Sequence, residues 1–421
     1  MNKMKIYFFI NIILKSKPSC VKLVLKKISV HSRISFRADM YWIQHLDNGL
    51  RRVNHAAVTI GNLIYSFGGY CSENDLSEFM DVCIFNTDSL NWYNIHYSPT
   101  GDIPPSLFGH SAVVYKNKVY IWGGISSHHQ NLVSEKLYCF DVASLTWSVI
   151  EGTGHVPSPT DGHSACVIDN SMYVFGGFES ISEVLVNSLY KLDLDTYKWE
   201  RLWTKGTPPC PRDFHTASVI GRRMYIFGGR SYIDESAADE IYYNEIMYID
   251  VDSLTWVKPL IISEEPRGRR SHSAAVYNGE IYVIGGCCPD YYAGVRHLND
   301  VYKFNAESNF WTELNIKGDG PNPRRRHCSV VIGDRLFLFG GSSPKTLNLL
   351  VIDTPLTDTR LIEESDLFIM DLRPTLRRLC QLKVIEYGLE NHFIPTRLKD
   401  ELQHLKKSEA PIFDSPQQIV P

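Results

Sequence analysis

The chain has 421 residues, 44% of them apolar and 12% aromatic, enough to bury a sizeable core. Its formal charge of −4 is unevenly spread: residues 1–39 carry nine Lys/Arg and one acid, leaving 34 basic and 46 acidic groups in the rest. That acidic body excludes broad non-specific nucleic-acid binding and suits a basic peptide partner. The ten cysteines contain no CxxC pair and no even framework, so they read as reduced residues of an intracellular protein, Cys139 and Cys166 lying inside apolar strands. The expected location is cytoplasmic and nuclear, and adjacent Cys287-Cys288 is expected to be inert.

Residues 1–39 do not share the pattern that follows. Their basic start and the apolar run from Ile6 to Leu14 resemble a targeting segment, but the run is too short to span a bilayer and no small-x-small cleavage site follows. We expect an extension outside the fold, disordered or a gene-model artefact, with the organised chain starting at Met40.

From there one unit recurs. Gly-Gly pairs begin at Gly68, Gly123, Gly176, Gly228, Gly285 and Gly340, each thirteen residues after a histidine: His55, His110, His163, His215, His272 and His327. A period of 52 to 57 residues signals a propeller, solenoid or array. In the second unit, Ser111–Tyr115 and Val119–Trp122 flank a turn, Lys136–Val142 follows the Gly-Gly loop, and Thr146–Ile150 carries Trp147. Each unit therefore predicts a four-stranded antiparallel meander, and Asn278-Gly279 in the fifth is a strong hairpin signal. Trp92, Trp147, Trp199, Trp256 and Trp311 fall 22 to 27 residues after their glycines and suit the wedge between sheets. The sixth unit ends at Leu367–Leu372 without a fourth strand. Trp42–Leu46 has that missing pattern, and pairing the two would leave no exposed edge.

The histidines invite a catalytic or metal reading, but a residue used identically six times fits a repeated local hydrogen bond better than a site of unlike groups. There is no phosphate loop, HExxH or serine elbow, and we expect no cofactor, no metal and no catalytic residue. Arginines are more informative. Arg51-Arg52, Arg212, Arg267, Arg269, Arg270 and Arg324-Arg325-Arg326 precede histidines, and Arg230 follows a Gly-Gly pair. Converging on one mouth, they would suit a carboxylate such as a peptide C-terminus. Asp161, Asp213, Asp234, Glu235, Asp239 and Glu240 could pair with them or with a basic ligand side chain.

The order His163-Ser164, Gly176-Gly177, Tyr190, Asp193, Trp199 resembles the kelch repeat, and the resemblance covers residues 41–372. It implies an all-β fold: a six-bladed kelch β-propeller closed by an N-terminal strand, followed by a short C-terminal helical segment. The expected division is an extension at 1–39, the propeller at 40–372, helices at 373–407 and a disordered tail at 408–421. Kelch rings host enzymes, actin binders and ligase receptors, so fold alone does not assign function. An oxidase would need a tyrosine, histidine and copper constellation that the 23 tyrosines do not single out.

Beyond Leu372 the period changes to 3.6 residues. Leu376, Leu379, Cys380, Lys383, Val384 and Tyr387 share a stripe, Gly388 can end that helix, and Leu398, Leu402 and Leu405 mark a second helix after Pro395. Thr375-Leu376, Cys380 and Val384 resemble the elongin-binding box of ubiquitin-ligase receptors; Ile394-Pro395, Leu398 and Leu402 resemble the box that selects the second cullin. The resemblance implies a non-catalytic substrate receptor, partnered by elongin B/C and cullin-2 with its RING subunit, that captures glycine-ended C-terminal tails. It points to neither nucleic acid nor membrane as a partner. In related receptors two loop arginines and a serine hold the terminal carboxylate. Arg230 matches the first arginine, the second has no counterpart between Ser231 and Tyr243, and Arg270 stands at the serine position. The degron-binding set is thus Arg230, Arg270, Arg269, Arg212, Asp234 and Glu235. The other reading is a kelch scaffold for a chromatin or cytoskeletal partner, its tail packed on its own propeller.

Overall fold

The structure is a computed structural model that describes residues 40–72, 78–95, 102–126, 132–232, 240–290, 294–345, 361–388 and 395–413. It is mostly β, with two helices among the described residues, neither long and apolar enough to cross a membrane. Six sheets each contain an antiparallel four-stranded meander. In the second unit the strands are Ser111–Tyr115, Lys118–Trp122, Leu137–Asp141 and Thr146–Ile150, paired in that order. The first hairpins turn as expected, with Lys116 and Asn117 at φ 49° and 57°, and Asn278 and Gly279 at φ 50° and 73°.

The sixth unit takes its outer strand from the other end of the chain. Tyr41–Leu46 pairs antiparallel with Leu367–Asp371, Tyr41 opposite Asp371 and Leu46 opposite Leu367. The fifth unit departs from the expected pattern: Gly285-Gly286 does not end its strand. Glu280–Asp290 runs on through a register shift after Ile284 and pairs with Gly294–Asn305 as a long hairpin.

Three repeated contacts tie each unit to the next. The aromatic before each Gly-Gly pair packs on the next unit's tryptophan: Phe67 on Trp147 at 5.9 Å, Trp122 on Trp199 at 5.0 Å, Phe175 on Trp256 at 5.1 Å, Phe227 on Trp311 at 5.0 Å and Phe339 on Trp92 at 5.4 Å. Ile284 takes this place beside Trp42. The glycines lie between successive histidines. A Cβ on Gly176 would meet His215 Cε1 at 2.8 Å, and one on Gly177 would meet His163 Cβ at 2.8 Å.

The histidines bond the hydroxyl that follows the previous unit's histidine: His163 Nε2 with Ser111 at 2.8 Å, His215 with Ser164 at 2.7 Å, His272 with Thr216 at 2.9 Å and His327 with Ser273 at 2.8 Å. Ala56 and Cys328 stand in the two remaining hydroxyl positions. Burial holds all six histidines neutral, lowering His163 to about 4 and His327 to about 3.

The third contact is backbone to backbone. Just before the histidines, Asn54, Gly109, Gly162, Phe214, Ser271 and Arg326 all have φ between 51° and 71°. Gly109 N donates to Asn54 O, Gly162 to Gly109, Phe214 to Gly162, Ser271 to Phe214, Arg326 to Ser271 and Asn54 to Arg326, at 2.8 to 3.1 Å. The last bond returns to the residue from which the first set out.

Two measurements test these contacts. Deleting residues 40–47 should lower the melting temperature markedly because it uncovers Leu367–Asp371 and removes Trp42, whereas deleting 1–39 should leave it unchanged. Acidification should also destabilise the protein: the buried histidines stay neutral while those of the unfolded chain protonate below about pH 6.5. Stability is then lost as pH falls from that value toward 4, by up to ~1.4 kcal/mol per pH unit for each histidine. Urea midpoints between pH 7.5 and 5 read this slope, which His163→Gln should make shallower.

Candidate functional site

Three consecutive positions before each histidine have different fates. At the first stand Arg52, Arg212, Arg269 and Arg324, and their guanidiniums are framework. Arg212 bonds Gly228 O at 3.0 Å and Glu245 at 2.5 Å, and lies 3.8 Å from the Tyr243 ring centre. Arg269 bonds Gly285 O at 2.9 Å and holds both carboxylate oxygens of Asp300 at 2.5 and 2.9 Å. Arg324 does the same with Gly340 O and Asp366, and Arg52 pairs with Asp81. The expectation that Arg212 and Arg269 line the mouth is corrected: both are 0% exposed, each clamping its own unit's Gly-Gly turn to the third strand.

The second position forms the rim. Val53, Asp213, Arg270 and Arg325 bridge to Tyr70, Arg230, Cys287 and Ser342, each the first residue after a Gly-Gly pair. Phe108 and Asp161 pair likewise with Ile125 and Phe178. The third position is the inner hydrogen-bonded turn itself. The rim therefore has an apolar side with Tyr70 edge-on to Phe108 at 6.2 Å, an acidic side at Asp161 and Asp213, and a basic side.

On the basic side Arg230 is fully engaged. Its Nε and Nη2 reach Asp213 at 3.0 and 3.2 Å, and Nη1 bonds Glu240. Arg270 donates Nε to the Tyr242 hydroxyl at 2.8 Å and lies 3.5 Å from Glu240, which Tyr242 also bonds. Against its burial, Glu240 is held below the usual carboxylate range by the Tyr242 hydroxyl, Arg270 and Arg230. Burial and then Asp213 push Asp161 up to about 6, against Arg230 and Arg326.

Arg325 and Arg326 were expected among the arginines of the mouth but not in the degron-binding set, and the structure sets them apart. Neither has a carboxylate partner among the described residues: Arg325 Nη1 reaches only the Cys287 sulfur, at 4.0 Å, and the Nε of each arginine is buried without an acceptor. Arg326 reaches across the mouth so that its guanidinium lies 5.6 Å from the Phe214 ring centre, the ring that Arg230 approaches to 5.4 Å. Burial and then Arg325, Arg270 and Arg230 lower the Arg326 guanidinium to about 10. In the sequence they are the last two of a run of three arginines, which does not separate them from Arg324. Asp234, Glu235 and Asp239 lie outside the described residues. No group of three His, Cys, Asp or Glu is placed to hold a metal ion among the described residues. Cys287 and Cys288 are buried, and burial raises the Cys288 thiol.

The tail forms a second candidate surface. Thr375 caps helix α1, Leu376–Glu386, by accepting from Arg378 N at 3.1 Å, and Gly388 follows its end at φ 62°. Its inner side is buried at Gln381, which bonds Glu401, and Leu382 packs on the core between the first and sixth units. Its outer side exposes Leu376 (55%), Cys380 and Tyr387 (66%), while Leu379 and Val384 are half-buried. Helix α2, Thr396–Leu405, starts at exposed Pro395, with Leu398 half-buried. Ile394 lies outside the described residues. Leu402, expected to bind a cullin, is 1% exposed and faces inward, because its side of α2 closes over the rest of the fold with Leu405. Residues 408–413, expected to be disordered, are docked: Ala410 is fully buried, and Ile412–Phe413 pairs in parallel with Trp92-Tyr93 of the first unit, while 414–421 lie outside the described residues. Lys407 Nζ donates to Ser89 O, Leu90 O and Asn91 Oδ1 at 2.9, 3.0 and 2.6 Å.

Comparison with known proteins matches residues 54–182 and 109–341 to the KLHDC2/KLHL20/DRC7 Kelch-repeats domain. The chain is 42% identical over 373 residues to kelch domain-containing protein 3 of Bos taurus, covering 86% of this chain and 94% of that protein, and 41% identical over 375 residues to the Homo sapiens protein of that name. It is 28% identical over 271 residues to Homo sapiens host cell factor 2, covering 61% of this chain and 33% of that protein.

Framework and rim arginines should separate in stability measurements. Arg269→Met leaves Asp300 without its cation and should cost about 3–5 kcal/mol, whereas Arg325→Met should change the urea midpoint little.

Proposed function

This chain belongs to the kelch-repeat family, a relative of kelch domain-containing protein 3, and from that premise we propose that it is the substrate-recognition subunit of a cullin-RING ubiquitin ligase. A protein-interaction role is the family-level statement; the ligase role is the finer reading. In that reading the six sheets are six blades of one closed ring, and the mouth takes glycine-ended C-terminal tails by their carboxylates. The receptor is not itself catalytic and acts in the cytoplasm and nucleus.

The observation that carries the ligase reading is the exposed stripe of α1. A helix packed on a completed core through Gln381 and Leu382 has no need of Leu376 or Cys380 for its own folding, yet both stand in solvent. A leucine and a cysteine four residues apart on one helix face suit insertion into an apolar groove, here that of elongin C with elongin B. In this reading Pro395 and Leu398, at the start of α2, meet cullin-2 with its RING subunit. Leu402 is left out of that contact because it is already buried.

The docked tail favours a second reading. Leu402, Leu405, Ala410 and the Ile412–Phe413 strand are satisfied by the chain itself, as a kelch scaffold without a ligase would require. Co-purification decides between the two. Wild type should capture elongin B/C and cullin-2, and Leu376→Ala with Cys380→Ala should abolish that capture while leaving the melting temperature unchanged; a wild type that captures neither would favour the scaffold, and capture retained by the variant would remove α1 as the contact.

A further inference from the structure

We propose that the seat for a ligand carboxylate in the mouth is formed by Arg326 and Arg325, and that Arg230 supports this seat without being its principal anion contact. The inference rests on the receptor reading above and says which side chains make the contact. Four cations meet at the basic side of the rim: Arg230, Arg270, Arg325 and Arg326. Among the described residues Asp213 and Glu240 are the carboxylates that pair with them, and they are spent on Arg230 and Arg270. Every nitrogen of the Arg230 guanidinium already donates to a carboxylate. A ligand anion there would have to displace Asp213 or Glu240, exchanging one ion pair for another with little gain.

Arg325 and Arg326 are in the opposite condition. The Arg326 backbone is fixed by two bonds of the inner cycle, its N–H on Ser271 O and its C=O accepting from Asn54 N. Its side chain is therefore aimed from a rigid base. It crosses to Phe214 of the fourth unit, sharing that ring with Arg230. Asp161, whose charge acts on Arg326, forms no ion pair with it. His297, on the long hairpin of the fifth unit, is lowered to about 4 by burial, Arg325 and Arg270, so it stands by as a neutral group and brings no competing acid. A largely buried guanidinium without a counter-charge is costly to the folded protein. A bidentate carboxylate entering the mouth would supply that charge and accept from the unused fork.

The test uses the full chain and a library of labelled ten-residue peptides ending in glycine, each made as free acid and as C-terminal amide. Wild type should bind the best free acids at least about tenfold more tightly than their amides. Arg326→Met should weaken free-acid binding by about thirtyfold or more and bring the acid-to-amide ratio close to one. Its melting temperature should stay level or rise, because an uncompensated charge is removed. Arg326→Lys should keep part of the preference, since it retains the charge and loses the fork. A wild type that binds neither form, or both alike, overturns the carboxylate reading of the mouth itself. A wild type that discriminates while Arg326→Met discriminates equally well, or a marked drop in the melting temperature of Arg326→Met, overturns the seat and leaves the receptor reading standing.

Discussion

The cycle of backbone hydrogen bonds through Asn54, Gly109, Gly162, Phe214, Ser271 and Arg326 is the constraint on which the rest of the structure depends. Each of these residues must adopt a positive φ to turn its N–H toward one neighbour and its C=O toward the other. For glycine this costs little; for phenylalanine, serine and arginine it is held only because the surrounding contacts over-determine it. The histidine that follows is thereby brought under the next turn, and the Gly-Gly pair loses its Cβ atoms so that two histidines can lie against its backbone. The thirteen-residue spacing is the distance along one hairpin between two groups that must meet.

That frame explains why function resides in differences between copies. Every unit delivers a residue to the rim at the position before the turn and another after its glycines, whatever their chemistry. In the first two units these are Val53, Tyr70, Phe108 and Ile125; in the last three they are Asp213, Arg230, Arg270, Cys287, Arg325 and Ser342. One backbone course thus yields an apolar arc and a charged arc facing a common opening. The charge is not free to be read as a simple sum, because the arginines one residue further back are buried staples, satisfied by acids of their own units.

The C-terminal segment obeys the same economy of faces. Its inner faces complete the fold between the first and sixth units, through Gln381, Leu402, Leu405 and Ala410, while the outer stripe of α1 remains uncovered. Packing of α1 against the molecule uses one side of the helix and leaves Leu376 and Cys380 exposed on the other.

The sequence by itself determined the repeat, the meander, the tight turns, the outer strand from Trp42 to Leu46 and both tail helices. Each of these follows from local periodicity, turn chemistry or a missing element that has one place to go. Arg324, Arg325 and Arg326 show what it did not determine. They are chemically identical neighbours, yet the first is consumed by Asp366, the second stands on the rim and the third crosses to Phe214. Leu402 and Leu376 are likewise two leucines on amphipathic helices, one buried and one exposed. Only the tertiary structure decided these cases, because the availability of a guanidinium or a leucine depends on partners contributed by residues distant in the chain, and no local pattern encodes them.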